Sequence, residues 1–178
     1  MGFSGELVFG RSERPLLEAP VFGGAQADGP GGIAVWWPRP GGWQTSQFHH
    51  KASPARPEEI LRAVVEWTGA PACVASVQDS SVALVRGLTP GGDQWDAWLN
   101  LTIAAEMSDR PLSEMDAYVP GDAGRALAWA QAAGVGQGVD VTAIEEVLRS
   151  HEDFTEDLFD TLLDRLGFPA ASDPAAEG

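Results

Sequence analysis

The carboxylates near the carboxyl end of the chain are the residues whose type and spacing best suggest chemistry. Residues 152–164 contain six acids, and four of them follow one another at intervals of four, three and four residues: Asp153, Asp157, Asp160 and Asp164. On a helix this spacing places the four side chains in one stripe. A divalent cation needs oxygen ligands that converge from several elements. A straight stripe does not converge, so no metal site is predicted here.

Two interpretations of this aspartate stripe stay open. Like charges at this spacing cost only about 0.2–0.5 kcal/mol per pair, so the stripe fits the solvated back of an amphipathic helix. It also fits a surface that attracts a basic protein partner and speeds their encounter. The four aspartates are therefore candidate partner-binding residues, with plain solvation as the alternative.

Tryptophan is the second notable residue type, with seven in 178 residues. Trp36, Trp37 and Trp43 lie close together in sequence, on what we predict to be one β-hairpin. Adjacent residues of a strand point to opposite faces, so Trp36 and Trp37 are expected to face apart. An exposed tryptophan is a natural hot spot for binding. These three residues are candidate partner-binding residues as well, with core packing as the alternative.

Other motifs do not reach a catalytic or cofactor-binding pattern. The single lysine, Lys51, has no phosphate-loop glycines beside it, and no Gly-x-Ser-x-Gly elbow is present. The histidines (His49, His50 and His151) lack the ligand spacing of a zinc site. The lone cysteine, Cys73, lies in an apolar run and is predicted to be buried. We predict no cofactor, no metal and no catalytic residue, and favour a protein that is not an enzyme.

The charge is distributed very unevenly along the chain. The formal net charge is −15; residues 1–88 hold 8 acids and 7 bases, whereas residues 89–178 hold 18 acids and 4 bases. Binding to nucleic acid or to an anionic membrane needs clustered Lys and Arg, so neither partner is expected. The chain shows no signal-peptide pattern and no apolar stretch near the ~20 residues of a membrane span, so we expect a cytoplasmic protein.

Strand patterns come first in the chain, and helix patterns dominate later. Alternating or continuous apolar runs predict about five strands, at 5–10, 33–37, 43–48, 72–78 and 81–88, with 94–99 as a further candidate. One helix is predicted among them, at residues 57–68, and several more after residue 100. Capping-box spacings predict that two of these later helices begin near Thr142 and Asp153. This order favours an α+β fold with an antiparallel sheet.

The length predicts one domain over residues 1–169, strand-rich to residue 100 and helical from 101 to 169, with a disordered tail at 170–178. The expected function is non-enzymatic: a protein-binding or regulatory module that presents an acidic helical face to a basic partner. Immunity-type proteins that neutralise basic toxins share this general character. The alternative is a small-molecule-binding protein or enzyme with a pocket between the sheet and the Gly-rich segment 23–32.

Overall fold

The strands of the protein form one antiparallel sheet. The computed structural model describes residues 2–22, 33–49 and 55–169, with the backbone alone for Leu17 and residues 33–36; the Gly-rich segment and the predicted tail lie outside these ranges. The strands are β1 (Gly5–Arg11), β2 (Ile33–Pro38), β3 (Trp43–His49), β4 (Ala72–Gln78), β5 (Val82–Leu88) and β6 (Gln94–Leu99). Their order in the sheet is β2–β3–β1–β4–β5–β6. The predicted α+β fold is confirmed, with six strands instead of about five.

Helices cover both faces of this sheet. They are α1 (Pro57–Thr68), α2 (Leu101–Ser108), α3 (Leu112–Asp116), α4 (Val119–Ala132), α5 (Val141–Arg149) and α6 (Thr155–Arg165). One face carries α1 together with two 3₁₀ turns, and the other carries the layer formed by α2–α6. Within the described ranges, no helix is both long enough and apolar enough to cross a membrane.

The α1 helix shows how the local sequence sets an element's limits. Pro57 occupies the first helical turn, where its missing N–H costs nothing, and Gly69 ends the helix in the left-handed conformation with φ 69°. The N–H of Gly69 donates to the carbonyl of Val65, as expected for such a cap. The apolar stripe of α1 is buried against β1, β4 and β5, which confirms the predicted helix at residues 57–68.

The face covered by α2–α6 buries the larger core. Its centre is a group of aromatic rings from distant parts of the chain, in which Phe9 stacks on Trp43 at 5.2 Å between ring centroids. Phe168, beyond the end of α6, packs edge-on against both rings at 4.8 Å. These contacts fix the carboxyl end of the helical layer to β1 and β3, so the last helix of the chain has a defined position on the sheet.

Two helices begin at residues other than the predicted caps. The cap of α5 is Asp140, whose carboxylate accepts a hydrogen bond from the Thr142 N–H at 2.9 Å; Thr142 therefore lies inside the helix. The α6 helix begins at Thr155, and Asp153 makes no cap. The Thr155 N–H donates instead to the carbonyl of Ser80, in the turn between β4 and β5, at 2.8 Å. A tertiary contact thus replaces the local cap that the sequence pattern predicted.

Candidate functional site

The aspartate stripe lies on the outer side of α6 and of the segment before it. Asp157, Asp160 and Asp164 are exposed on the helix, and Asp153 is exposed two residues before its first turn. The opposite side of the helix packs its leucines and Phe159 into the core. The spacing of the acids therefore correctly predicted that Asp157, Asp160 and Asp164 lie on one side of a helix, whereas Asp153 lies before the helix begins.

Arg39, in the connection between β2 and β3, holds the carboxyl-terminal half of α6. Its side chain is only 2% exposed and forms ion pairs with Asp160, at 2.5 Å, and with Asp164, at 2.7 Å. The same guanidinium donates to the carbonyl of Pro169 at 3.2 Å. Arginine suits this position because its planar group presents several donors in a fixed geometry. Two members of the aspartate stripe are thus engaged within the molecule.

The β4–β5 turn holds the amino-terminal end of the same helix. Asp79 and Ser80 both have positive φ, at 53° and 55°, as required by the tight turns that join antiparallel strands. Besides accepting from Thr155, Ser80 donates through its hydroxyl to the Glu156 carboxylate at 3.0 Å. Contacts at both ends therefore fix α6 across the sheet and determine where its remaining carboxylates lie.

Trp37 lies beside this helix at the edge of the sheet. Its side chain is 41% exposed and lines a depression of about 180 Å³ together with carboxylates of α6. The acids in its lining are Glu156, Asp157 and Asp160. Leu7, Thr45 and Phe159 complete the lining. We call this feature, with Trp37 and the exposed carboxylates of α6, the α6–Trp37 surface. It brings together three of the candidates selected from the sequence: Trp37, Asp157 and Asp160.

The other two candidate tryptophans do not join this surface in the same way. Trp43 is buried in the aromatic core, which agrees with the core-packing alternative and removes it from any exposed contact. Trp36 pairs with Ser46 through the β2–β3 ladder, and its side chain lies outside the described part of the chain. The partner-binding role of the remaining candidates stays a prediction.

Sequence reasoning missed Arg39, Ser80 and Glu156. Arg39 had a detectable signal, because it is the only charged residue in the hairpin sequence from Ile33 to Phe48. An isolated arginine in a neutral hairpin, in a chain with many acids further on, is a reasonable candidate for a buried ion pair. Ser80 had no comparable signal, since a serine in a turn usually serves only the turn itself.

A second feature lies at the other end of the sheet, beside β6. A cleft of about 740 Å³ is lined by residues of α1, β5, the β5–β6 turn and β6 together with Arg125 of α4, and its charged side chains are of both signs. Arg86 pairs with Glu58 across it. Arg62, Glu66 and Asp96 also line it and make no ion pair within the described residues. This cleft is not the pocket predicted beside segment 23–32, which lies outside those residues.

A smaller cleft of about 270 Å³ flanks β6 on the helical side, and Asp96 and Arg125 line both clefts. Asp122, in its wall, accepts a hydrogen bond from Arg125 at 2.6 Å. Burial raises the pKa of the Asp122 carboxyl; the Arg125 guanidinium opposes this rise, and the charge of Asp96 adds to it. Asp96 and Asp122 are therefore electrostatically coupled at this edge of the sheet.

The described residues offer neither a grouped set of metal ligands nor an exposed thiol. Within the described ranges, no three His, Cys, Asp or Glu side chains are grouped so that they could hold a metal ion. Cys73 is buried as predicted, and burial raises the pKa of its thiol, which disfavours the nucleophilic thiolate. His50 and Lys51 lie outside the described residues.

Comparison with known proteins identifies no relative. No family model, no curated protein and no solved structure matches this chain. Its function is therefore inferred from the geometry and charge of the described residues.

Proposed function

We propose that the protein is a non-enzymatic binding module that recognises a basic protein partner through the α6–Trp37 surface. The observation that carries this proposal is the position of Trp37, which is exposed in the same depression as Glu156, Asp157 and Asp160. An indole ring next to several carboxylates suits a Lys or Arg side chain, because the cation is attracted both by the ring face and by the negative charges.

The surrounding charge supports the same class of partner. The half of the chain after residue 88 holds 18 acids and 4 bases. Arg39 engages Asp160 and Asp164, which leaves Asp153 and Asp157 as stripe members with no ion pair among the described residues. A strongly negative surface accelerates association with a basic partner, and this acceleration weakens as salt is added.

Rigid placement makes this surface better suited to binding than a loose acidic tail. The α6 helix is held by Ser80 at one end and by Arg39 at the other. A preorganised surface loses little conformational entropy when its partner docks, so more of the interaction free energy appears as affinity. Immunity-type proteins that neutralise basic toxins, considered above, are one class with a partner of this chemistry.

A short basic peptide tests the proposal without knowledge of the natural partner. The probe is a capped hexapeptide that alternates arginine with serine, and its control replaces each arginine with uncharged citrulline. We expect calorimetry to show binding of the arginine peptide that weakens with salt, and no binding of the citrulline peptide. Trp37→Ala is expected to weaken binding about 10-fold, as a hot-spot aromatic does.

Charge-matched variants separate a defined site from general electrostatic attraction. Asp157→Asn removes one charge from the surface, whereas Glu146→Gln removes one from an exposed position on α5. We expect about a 3-fold loss for Asp157→Asn, in the range of one exposed ion pair, and little change for Glu146→Gln. Equal losses for the two variants, or full affinity in Trp37→Ala, would contradict the proposal.

A further inference from the structure

Among the strands that the structure describes, β6 lies at one edge of the sheet and has a neighbouring strand on one side only. Thr89 donates its backbone N–H to the carbonyl of Asp93 at 3.0 Å, which fixes the pattern of the β5–β6 ladder. In an antiparallel pair, the backbone N–H and C=O groups of alternate residues form hydrogen bonds to the neighbouring strand, whereas those of the residues between them point away from it. The regular register from Leu88–Gln94 to Ala83–Leu99 therefore directs the N–H and C=O groups of Gln94, Asp96 and Trp98 outward.

These outward groups are not used elsewhere in the part of the chain that the structure describes. With the residues that the structure describes, none of them forms a backbone hydrogen bond outside the ladder or accepts a hydrogen bond from a side chain. Gln94 and Asp96 are exposed. An edge of this kind is a ready template for another strand unless proline, a bulge, a covering segment or a charge unmatched by the added strand blunts it, and the charge that β6 presents is Asp96.

The opposite outer strand, β2, carries two such protective features. It ends at Pro38, which has no N–H to offer, and its register shifts between Ile33 and Val35. The β6 strand contains no proline, and its register is uninterrupted. Among the described residues, one edge of the sheet thus carries protective features and the other is left available.

The two clefts described above flank this available edge on opposite faces. The larger cleft includes Leu61 and Val65 of α1, whereas the smaller one has an apolar floor on the helical side. That floor consists of Ala97, Leu101, Met115, Val119 and Leu148. Side chains of an added strand alternate between the two faces. Each face of such a strand would therefore meet a cleft next to β6.

We propose that β6 binds an extended peptide segment of a partner protein as a seventh, antiparallel strand, with a basic residue opposite Asp96 and apolar residues on either side of it. Main-chain hydrogen bonds from Gln94, Asp96 and Trp98 hold the segment, and the clefts select its side chains, as in other proteins that add a strand to a sheet edge.

The negative charge of Asp96 is the reason for placing a basic residue in this segment. Asp96 alternates with Trp95 and Ala97, which face the helical layer, so its side chain leaves the strand on the α1 side, although at this edge it borders both clefts. A residue directly opposite Asp96 places its side chain on that same side, where opposite charges form a favourable cross-strand pair. Glu58 and Arg86 already pair with each other. Within the described residues, the charges there that make no ion pair are the carboxylates of Glu66 and Asp96 and the guanidinium of Arg62, since Arg125, which also lines the cleft, pairs with Asp122.

The apolar residues of the segment follow from the other cleft. The two neighbours of the basic residue point to the helical side, where the floor is apolar. Valine or leucine there would cover this apolar floor and remove its surface from water. This site is separate from the α6–Trp37 surface, because Trp37 belongs to β2, at the opposite end of the sheet.

A designed peptide tests the strand-addition proposal directly. The probe is the capped peptide Val-Thr-Val-Lys-Leu-Thr-Val, in which lysine and the threonines share one face. The control carries N-methyl groups on the lysine and both threonines, which removes the N–H groups that face β6 but keeps every side chain. We expect the probe to slow hydrogen exchange at the amides of Gln94, Asp96 and Trp98, and the control to bind at least about 10-fold more weakly because main-chain bonds supply the affinity.

Variants of the chain make the result specific. Asp96→Asn is expected to weaken binding about 3-fold, as for one exposed charge pair, with Glu146→Gln as the matched control that changes nothing. Equal binding of the N-methylated peptide, unchanged exchange at the three amides, or no binding up to the solubility of the probe would each overturn the proposal. A response confined to the Trp37 indole would also overturn it and would support the α6–Trp37 surface instead.

Discussion

At the β2 end of the sheet, a buried arginine joins the strand connection to α6, whereas at the β6 end the ion pairs line two clefts beside an open backbone edge. Both ends combine acidic residues with arginines. At the first, Arg39 is almost fully buried, although its partners Asp160 and Asp164 remain 68% and 47% exposed. At the second, Arg86 and Arg125 keep much of their side chains in water.

This difference shows how similar residue types can serve two purposes. A buried guanidinium left without its carboxylates would be costly, so Arg39 fixes α6 in one position. Exposed ion pairs contribute little to stability, so the pairs at β6 mainly neutralise the cleft walls. We therefore expect the loss of an ion pair to lower stability at the β2 end, and the loss of a charge at the β6 end to act mainly on binding.

Removal of Arg39 is expected to have the largest effect. Arg39→Ala should lower the free energy of unfolding by about 3 kcal/mol, because it removes the charge-assisted hydrogen bonds to Asp160 and Asp164 and the buried side chain that makes them. Urea denaturation measures this loss. Arg165→Ala, at the end of α6 and without an ion pair among the described residues, is the control and should change stability little. Similar losses for both variants would mean that Arg39 is not a special anchor.

At the β6 end, a packing change is expected to exceed any charge change. A Cβ at Gly87 would overlap the indole of Trp95, its partner across the β5–β6 ladder. Gly87→Ala should therefore cost about 2 kcal/mol, as overpacking of a core typically does. Gly91→Ala, in the adjoining turn, has space for the added methyl group and should be nearly neutral. Thermal denaturation compares the two, and equal stability would contradict the packing described here.

The pH dependence of folding stability should show the smallest effect, and the contributions of Asp122 and Asp140 to it should have opposite signs. Burial raises the pKa of Asp122, so the folded state binds more protons than the unfolded state between the two pKa values. The contribution of Asp122 to stability therefore increases as the pH falls through that window. The backbone hydrogen bond from Thr142 lowers the pKa of Asp140. Its contribution is present above the unfolded pKa and is lost as the pH falls through the folded one.

Asparagine variants measure these two contributions separately. The stability difference between wild type and Asp122→Asn should shift in favour of wild type as the pH falls, whereas the difference for Asp140→Asn should shrink. Denaturation at a series of acidic pH values gives both slopes. Slopes of the same sign would show that burial at the β6 end does not control the ionisation of Asp122.

Local sequence patterns predicted which helices and strands form better than they predicted where the later helices begin. Pro57 and Gly69 marked both ends of α1, and the Pro- and Gly-rich connection after β2 marked the hairpin. The start of α6 was predicted wrongly at Asp153, because the cap of its first turn comes from Ser80, far away in the sequence. Tertiary contacts of this kind leave no periodic trace in the chain.

The candidate site was predictable only in part for the same reason. The spacing of Asp157 and Asp160 placed them on one side of a helix, but their meeting with Trp37 depends on how α6 crosses the sheet. Arg39 lies 121 residues before Asp160, so no local pattern links them. The larger cleft at β6 draws on α1, β5, β6 and α4, and a single sequence does not reveal such an assembly.

The most direct test of the central claim is a map of chemical-shift changes when the arginine–serine hexapeptide is added to ¹⁵N-labelled protein. We predict changes at the Trp37 indole and at the amides of residues 153–160, with α5 and β6 unaffected. The Trp37→Phe variant identifies that indole among the seven. Changes spread over all exposed carboxylates, with no response from Trp37, would contradict a defined binding surface and indicate that the acidity serves solvation alone.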